Sequence, residues 1–304
     1  MSSIPKDIDW TGYWNSPYKA IPLLAQMLHK GELALFVGAG ISKDLRAPSW
    51  HSLARAMARE SGVGGAGINR ERISGGELAD IFSKIKRQAN LTPADFDKLV
   101  KKWIYFKSSS KTGNWAPSIL VALGSLMCGS SRGRIDTVLT LNFDSYLEMY
   151  LRLYGFTPQS ITSMPCVLQR ADVHIYHSHG YLPLESEDGN DTAILLHKQS
   201  MLEAMGEDNN FRKRMMQYVL GQRRMLAVGL SGDDVFSRSV IAALSKEGAH
   251  GPLMGFWIAG PTLSRDRAED LKESKIVALK LSSLKELPEF LFSIARTASL
   301  LAVK

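Results

Sequence analysis

Four short motifs in this 304-residue chain place glycines or polar side chains directly after an apolar run. The first motif is Gly38-Ala39-Gly40-Ile41-Ser42, which follows the apolar run 33–37. A tight glycine turn between a strand and a helix lets backbone N–H groups approach a pyrophosphate, because a Cβ atom would block that approach. The motif lacks the third glycine of the usual dinucleotide fingerprint, so a plain left-handed turn is the alternative interpretation.

The second motif, Thr140-Leu141-Asn142-Phe143-Asp144, stands at the end of another apolar run. A parallel sheet places such residues at its carboxyl edge, where ligands bind. Asn142 offers both an amide donor and an acceptor to such a ligand. The alternative is an Asn/Asp turn that caps the following helix.

The third motif is His177-Ser178-His179-Gly180. Metal ligation would need a third protein ligand, and no obvious cluster of partners exists in the sequence. A histidine next to glycine suits a general base or a ribose contact instead. A buried, hydrogen-bonded histidine is the alternative, and it is the better interpretation of His174 and His177.

The fourth motif is Gly229-Leu230-Ser231-Gly232-Asp233-Asp234. Gly229 lets a ligand lie close to the backbone, and Ser231 can donate a hydrogen bond to it. Asp234 has an alternative role as the N-cap of the next helix.

Short apolar runs separated by helical patterns must position these motifs. Such runs are typical of buried parallel strands, so the sequence predicts an α/β fold: a Rossmann-like parallel sheet with helices on both faces. The predicted strands are 33–37, 137–141, 173–176, 193–196 (the weakest), 225–228, 254–259 and 276–279. Helices are predicted at 20–30 with Gly31 as cap, at 145–154 ending before Gly155, and at about 287–301.

Residues 61–117 break this alternation and are interpreted as a helical insertion. The segment opens on the glycine-rich turn 62–67, continues with helical patterns at 77–88 and 93–106, and ends in the polar loop 107–114. The basic clusters of the chain are interpreted as solvated helix faces. They are Lys84-Lys86-Arg87, Lys101-Lys102 and Arg212-Lys213-Arg214.

Composition excludes several classes of protein. Two cysteines, Cys128 and Cys166, cannot build a disulfide framework or a four-cysteine zinc ribbon. The apolar runs are too short to span a bilayer and the start has no secretory pattern, so a soluble, cytoplasmic protein without membrane contact is expected. The net charge of +7 permits contact with nucleic acid, but no nucleic-acid-binding signature accompanies it.

The four motifs, in their residues and in their order along the chain, resemble those of the sirtuin-like superfamily. The resemblance extends from about residue 20 to residue 300. That pattern has a GAG-x-S turn, a T-x-N-x-D motif, a catalytic His-Gly and a later Gly-x-Ser. Two further stretches are similar to bacterial sirtuin-like defence proteins: Ala47-Pro48-Ser49-Trp50 with Leu53, and His177 to Pro183.

The departures from the sirtuin deacylases point to the bacterial branch of this superfamily. Deacylases carry a four-cysteine zinc module, and their T-Q-N motif has glutamine where this chain has Leu141. The bacterial relatives hydrolyse NAD to ADP-ribose and nicotinamide, often to starve phage-infected cells. The resemblance therefore implies an NAD glycohydrolase of an anti-phage, abortive-infection system, with NAD as substrate and no metal.

The resemblance also implies roles for individual residues. Asn142 would hold the nicotinamide ribose and the attacking water, and His179 would act as general base on the ribose hydroxyl or the water. The pyrophosphate would lie over the turn at Gly38–Gly40. The remaining residues implied to contact NAD are Ala39, Ser42, Asp144, Gly180, Gly229 and Ser231.

A toxic NADase must be restrained, and no second domain is recognisable, so one domain over residues 1–304 is predicted. The restraint is then expected from self-assembly or from another polypeptide, such as a HerA-like ATPase, a short Argonaute or another phage sensor. The insertion at 61–117 is the candidate surface for gating or for a homo-oligomer. The alternative functions are a non-catalytic module that binds NAD or ADP-ribose, and an effector subunit associated with nucleic acid.

Overall fold

A computed structural model describes most of the chain. The described residues are 8–64, 75–106, 118–129, 132–185, 192–207, 210–231, 234–248 and 251–303. In this part of the chain no helix is long and apolar enough to cross a membrane.

A seven-stranded sheet in which every pairing is parallel forms the centre of the fold. Its strands are β1 Leu33–Val37, β2 Thr137–Thr140, β3 Pro158–Ile161, β4 Val173–His177, β5 Arg224–Val228, β6 Gly255–Ala259 and β7 Ile276–Lys280. They lie in the order β3-β4-β2-β1-β5-β6-β7. With the edge strand β3 set aside, this is the order of the doubly wound dinucleotide-binding fold. The chain changes direction across the sheet at β1, so a crevice is expected at the carboxyl end of that strand.

Helices cover both faces of the sheet. The α-helices of the described residues are α1 Trp10–Asn15, α2 Ile21–His29, α3 Trp50–Glu60, α4 Gly75–Gln88, α5 Pro93–Tyr105, α6 Ser118–Met127, α7 Tyr146–Leu153, α8 Lys198–Gly206, α9 Phe211–Gln222, α10 Val235–Glu247, α11 Arg265–Glu273 and α12 Leu287–Ala302. Short 3₁₀ helices lie at Pro17–Ala20, Ala39–Leu45 and Leu284–Glu286.

The alternation of side chains along β1 shows how the two cores are divided. Leu33, Leu35 and Val37 belong to one buried cluster, which α2–α7 and α12 complete. Ala34 and Phe36 belong to the other, which α8–α11 complete. Because strand side chains alternate between faces, a strand buried on both sides is apolar throughout. The predicted Rossmann-like sheet with helices on both faces is confirmed.

Six of the predicted strands are confirmed, and the seventh, at 193–196, is wrong. This segment lies outside the sheet, alongside the turn that follows β4, where Leu195 N–H donates to the His179 carbonyl at 2.6 Å. Its apolar side chains are buried there without strand pairing. The sequence also missed β3, because only Ile161 of this edge strand is buried and no apolar run marks it.

The glycines expected to end two helices do so. Gly31 follows α2 at φ +66° and Gly155 follows α7 at φ +85°, both in the left-handed region that stops a helix. In the 61–117 segment, α4 and α5 match the predicted helical patterns. The polar loop 107–114 and part of the turn at 62–67 lie outside the described residues.

The helices of the 61–117 segment share the main core. Phe82 of α4 and Phe96 of α5 are each 1% exposed. Both belong to the same buried cluster as Leu53 and Met57 of α3. The apolar side chains of α4 and α5 are thus buried against the α/β unit, and Phe106 just after α5 remains 61% exposed.

Candidate active site

The four motifs meet at the carboxyl edge of four neighbouring strands. They follow β4, β2, β1 and β5, which are adjacent in the sheet in that order. The motif after β2 is tied to the one after β4, because Thr140 O accepts the Ser178 N–H at 3.2 Å. The motif after β1 is tied to the one after β5, because Gly40 N–H donates to Gly229 O at 2.9 Å. The fold therefore gathers all four motifs at one edge of the sheet.

Close backbone packing explains the glycines at 38, 40 and 229. A Cβ on Gly40 would lie 2.6 Å from Gly229 Cα, and a Cβ on Gly38 would lie 2.5 Å from the Leu230 side chain. Gly229 has φ +71° and would meet the backbone of Ile41. The Gly38 turn itself is not left-handed, since Gly38 has φ −134°. Glycine here lets two loops touch, and the Gly40 N–H is used by that contact.

Two buried polar atoms in these motifs have no hydrogen-bond partner among the described residues. They are the Asn142 Oδ1 and the Ser42 Oγ, on side chains of residues that are 4% and 1% exposed. The Asn142 N–H donates to Thr140 Oγ1 at 3.0 Å, which fixes the backbone of this residue. A buried oxygen without a partner costs about 1–3 kcal/mol, so a ligand hydroxyl, amide or water is favoured at both places.

Asp144 caps a helix, as the alternative interpretation of its motif expected. Its Oδ1 accepts the Tyr146 N–H at 3.1 Å, at the start of α7. Burial raises the pKa of Asp144 to about 7, the Glu148 charge adds to the rise, and the Tyr146 N–H and His177 oppose it. This carboxyl thus titrates near neutral pH beside Asn142.

His177 is buried and hydrogen-bonded, as predicted. Its Nε2 lies 2.6 Å from Glu148 Oε1 and its Nδ1 lies 3.2 Å from the Asn142 carbonyl. The side chains of His177 and Glu148 are each 1% exposed. Ser160 donates to the same carboxylate oxygen at 3.1 Å. The pair holds the loop of Asn142 against β4 from inside the core. His174, in contrast, bonds the Gln169 carbonyl and is half-buried.

His179 has a partner at each ring nitrogen. Nε2 lies 3.0 Å from Asp234 Oδ2, and Nδ1 lies 3.1 Å from Ser178 Oγ. The His179 side chain is 5% exposed and that of Asp234 is 20% exposed. The ring also packs edge-on against Phe236, with centroids 5.8 Å apart.

Asp234 both caps α10 and holds His179. Its Oδ1 accepts the Ser237 N–H at 2.6 Å, while Oδ2 faces the imidazole. Burial disfavours the charged carboxylate, but the nearby His179 and the hydrogen bonds from His179 and Ser237 outweigh it and lower the pKa of Asp234 to about 2. The carboxylate is therefore ionised at neutral pH and accepts the proton on Nε2, which leaves Nδ1 as the basic nitrogen.

Two further contacts, with the 193–194 segment and with Arg212, hold the turn that carries His179 in place. Gly180 has φ +107°, and a Cβ there would lie 2.6 Å from the Ala193 carbonyl oxygen. Arg212 of α9 is buried, donates from Nη1 to Ser178 O at 3.0 Å and from Nη2 to Ala193 O. Burial lowers the pKa of Arg212 to about 10, against the opposing charge of Asp97. The prediction that Arg212 belongs to a solvated basic face is wrong.

The remaining residues expected at the site lie on its rim. Ala39 begins the 3₁₀ helix after Gly38, and Ser231 is exposed on the loop after β5. Gly232 and Asp233 of the same motif fall outside the described residues. Within the described part of the chain, no group of three or more His, Cys, Asp or Glu side chains is placed to hold a metal ion.

Comparison with known proteins finds a family model that matches part of this chain. Residues 136–279 match the family model of the SIR2-like domain. The matched residues carry Asn142, His179, Gly229 and Asp234, whereas the Gly38 turn precedes them. The match supports a SIR2-like protein with an NAD-related function. No curated protein matches the chain.

The sequence analysis missed the roles of two residues in the candidate site, although a signal for each was present. Glu148 lies on the buried side of α7 with Leu147 and Leu151. Arg212 lies on the buried side of α9 with Met215 and Met216. A charged residue on an apolar helical stripe needs a partner inside the protein. The partner of Glu148 is His177, the last residue of β4, and Arg212 donates to Ser178 in the turn that follows.

Proposed function

We propose that the protein hydrolyses NAD to ADP-ribose and nicotinamide, with Asn142 and His179 as its catalytic residues. The observation that carries the proposal is the match of residues 136–279 to the SIR2-like domain, because both side chains lie within it. Their placement after the adjacent strands β2 and β4 supports it further.

The unpartnered polar atoms fit NAD as a ligand. Asn142 Oδ1 can accept a hydrogen bond, and Ser42 Oγ can donate or accept one. NAD offers ribose hydroxyls and a carboxamide, which can satisfy both kinds of atom. Ser42 follows the Gly38 turn, where the pyrophosphate is expected, and the other expected contacts are Ala39, Gly40, Asp144, Gly180, Gly229 and Ser231.

Hydrolysis breaks the bond between the nicotinamide nitrogen and ribose C1′, and water supplies the new oxygen at C1′. One proton is released overall. Asn142 orients the water or the ribose through its unpartnered oxygen. His179 accepts the proton at Nδ1 when a water or a ribose hydroxyl replaces the Ser178 hydroxyl there. Asp234 remains ionised and stabilises the charge that then forms on the imidazole.

Product analysis tests the proposal directly. The purified full chain is incubated with NAD and a chelator, alone and together with the protein encoded beside it. Chromatography separates NAD, nicotinamide, ADP-ribose and cyclic ADP-ribose. We expect nicotinamide and ADP-ribose in equal amounts. Unchanged NAD in both incubations contradicts the proposal, and binding of NAD without cleavage points to the non-catalytic module instead.

The cellular role that we propose is abortive infection in the cytoplasm. Depletion of NAD kills a cell, so the enzyme must stay inactive until a phage is sensed, through self-assembly or a partner such as a HerA-like ATPase or another sensor. Phe106 is the exposed aromatic residue nearest the end of α5, and its ring lies 4.8 Å from that of Trp103. Light scattering over a concentration range, for wild type and Phe106→Asp, tests this surface. A strict monomer that cleaves NAD at full rate without a partner contradicts the proposed restraint.

A further inference from the structure

The hydroxyl of Tyr105 bridges the two loops that carry Asn142 and His179. Tyr105 is the last residue of α5, in the segment that interrupts the α/β alternation. Its Oη accepts the N–H of Ser145 at 2.8 Å and donates to the carbonyl of Leu182 at 2.8 Å. Ser145 stands three residues after Asn142, and Leu182 stands three residues after His179.

The side chain of Ser145 extends this bridge. Its Oγ lies 3.2 Å from Tyr105 Oη and accepts the N–H of Leu184 at 3.1 Å. The Leu182 carbonyl can only accept, so the tyrosine proton points to it and the serine hydroxyl donates to the tyrosine oxygen. A main-chain bond from Leu182 N–H to Phe143 O, at 2.7 Å, also joins the two loops. The tyrosine hydroxyl adds helix α5 to this junction.

Helix α5 is fixed independently of the site. The carboxylate of Glu60 on α3 accepts from Lys102 Nζ at 2.6 Å and from Trp103 Nε1 at 2.7 Å. Phe96 and Val100 of the same helix are buried in the main core. The position of the Tyr105 hydroxyl is therefore set by contacts outside the candidate site. Burial raises the pKa of Tyr105, so the hydroxyl keeps the proton that its bond to Leu182 requires.

We infer that Tyr105 is a positioning residue, whose hydroxyl sets the spacing between the loops of Asn142 and His179 and so makes α5 control their alignment. The inference rests on the proposed function for its consequence on turnover. A misplacement of about 1 Å can cost about 10²-fold in rate. Removal of the hydroxyl, with the ring kept in place, should lower kcat about tenfold and leave KM unchanged, because neither substrate contact is removed.

Three tyrosine-to-phenylalanine variants separate this role from packing. Tyr105→Phe removes the bridge. Tyr146→Phe removes a hydroxyl that donates to the Ile104 carbonyl of α5 at 3.3 Å. It weakens the contact between α5 and α7 but leaves the bond from Tyr105 to the Leu182 carbonyl intact. Tyr154→Phe removes a buried hydroxyl with no partner in the described chain and serves as the control for the loss of a tyrosine oxygen.

The experiment measures kcat, KM, melting temperature and amide hydrogen exchange of the full chain for all three variants, with its partner protein where one is needed for turnover. Tyr105→Phe should speed exchange in the peptides that contain Ser145 and Leu184 and lower kcat alone, whereas the two controls should match wild type. An unchanged kcat, or a loss that follows a general fall in melting temperature and exchange protection, overturns the inference.

Failure of the proposed function gives a different result from failure of the inference. If wild type cleaves no NAD, the proposed function is wrong, and exchange alone decides the role of Tyr105. Faster exchange confined to the Ser145 and Leu184 peptides in Tyr105→Phe then supports a hydroxyl that aligns the loops. Exchange equal to that of Tyr154→Phe overturns it.

Discussion

Two histidines that stand two residues apart, His177 and His179, both face a carboxylate through Nε2. The distances are similar, 2.6 Å from His177 to Glu148 and 3.0 Å from His179 to Asp234. The surroundings differ. Both members of the first pair are 1% exposed, whereas the second pair is 5% and 20% exposed, at the carboxyl edge of the sheet.

The exposure of each pair, rather than the pairing itself, therefore distinguishes the histidine with a structural role from the one proposed to be catalytic. The pair of His177 and Glu148 lies inside the core, where a substrate has no access, and it holds the Asn142 loop in place. The pair of His179 and Asp234 lies where four motifs meet, and its carboxylate is the more exposed member. Hydrolysis is expected from the second pair, and stability from the first.

The largest expected effect comes from removing the two side chains that we propose to be catalytic. Asn142→Ala and His179→Ala should each lower NAD turnover at least about 10²-fold, since a positioned acid–base group typically contributes 10²–10⁴-fold. Their melting temperatures should stay close to that of wild type. Chromatographic rates and thermal unfolding check this prediction. A folded His179→Ala protein with near-normal turnover would remove His179 from the catalytic role.

His177→Ala should show the opposite pattern, with a loss of stability. The substitution leaves Glu148 buried at 1% exposure without its imidazole, and an unpaired buried charge typically costs about 3–5 kcal/mol. Denaturant unfolding measures the change in free energy. Glu148→Gln in the same background should recover part of the loss, because it removes the unpaired charge. A His177→Ala protein as stable as wild type contradicts a structural role for this pair.

The sequence predicted the strands that are buried on both faces of the sheet, because their residues are mainly apolar. Leu33–Val37 is apolar at every position because the sheet is covered on both faces, so its pattern marks a strand. The pattern fails at β3, an edge strand with one buried residue, and at 193–196, whose apolar side chains are buried against a loop instead of a sheet.

The sequence predicted the motifs of the candidate site, but not the helical side chains that hold them in place. The sequence predicts that the glycine, Asn142 and His179 motifs each follow a strand. The structure shows that these strands are neighbours in the sheet. The apolar stripe around Arg212 indicates that its side chain is buried, but not which loop it contacts, because Arg212 lies 34 residues beyond Ser178. Tyr105 likewise lies 40 residues before Ser145. Such contacts depend on how helices pack, which motif spacing does not encode.

A milder substitution tests whether Asp234 supports His179 or merely caps α10. Asp234→Asn keeps an oxygen for the Ser237 N–H and removes the negative charge that faces the imidazole. We expect kcat to fall about tenfold with little change in melting temperature, because the charge that stabilises a protonated imidazole is lost. In the His179→Ala background the same change should have no further effect on turnover. Increased turnover in Asp234→Asn would show that this contact restrains the enzyme.

The smallest expected effect concerns Asp144, whose pKa is influenced by the charges of Glu148 and His177. Its pKa of about 7 in the folded protein exceeds the ordinary value of 3.8, so the folded state binds this proton more tightly than the unfolded state. Stability from this group is therefore full below about pH 4 and is lost as pH rises towards 7. Asp144→Asn keeps an oxygen for the cap of α7 but has no charge to bury, so it should become progressively more stable than wild type as pH rises from 4 to 8. Thermal unfolding of both proteins across this range measures the gain. If the difference in stability between the two proteins does not change with pH, Asp144 titrates as an ordinary solvated carboxyl, and burial does not raise its pKa.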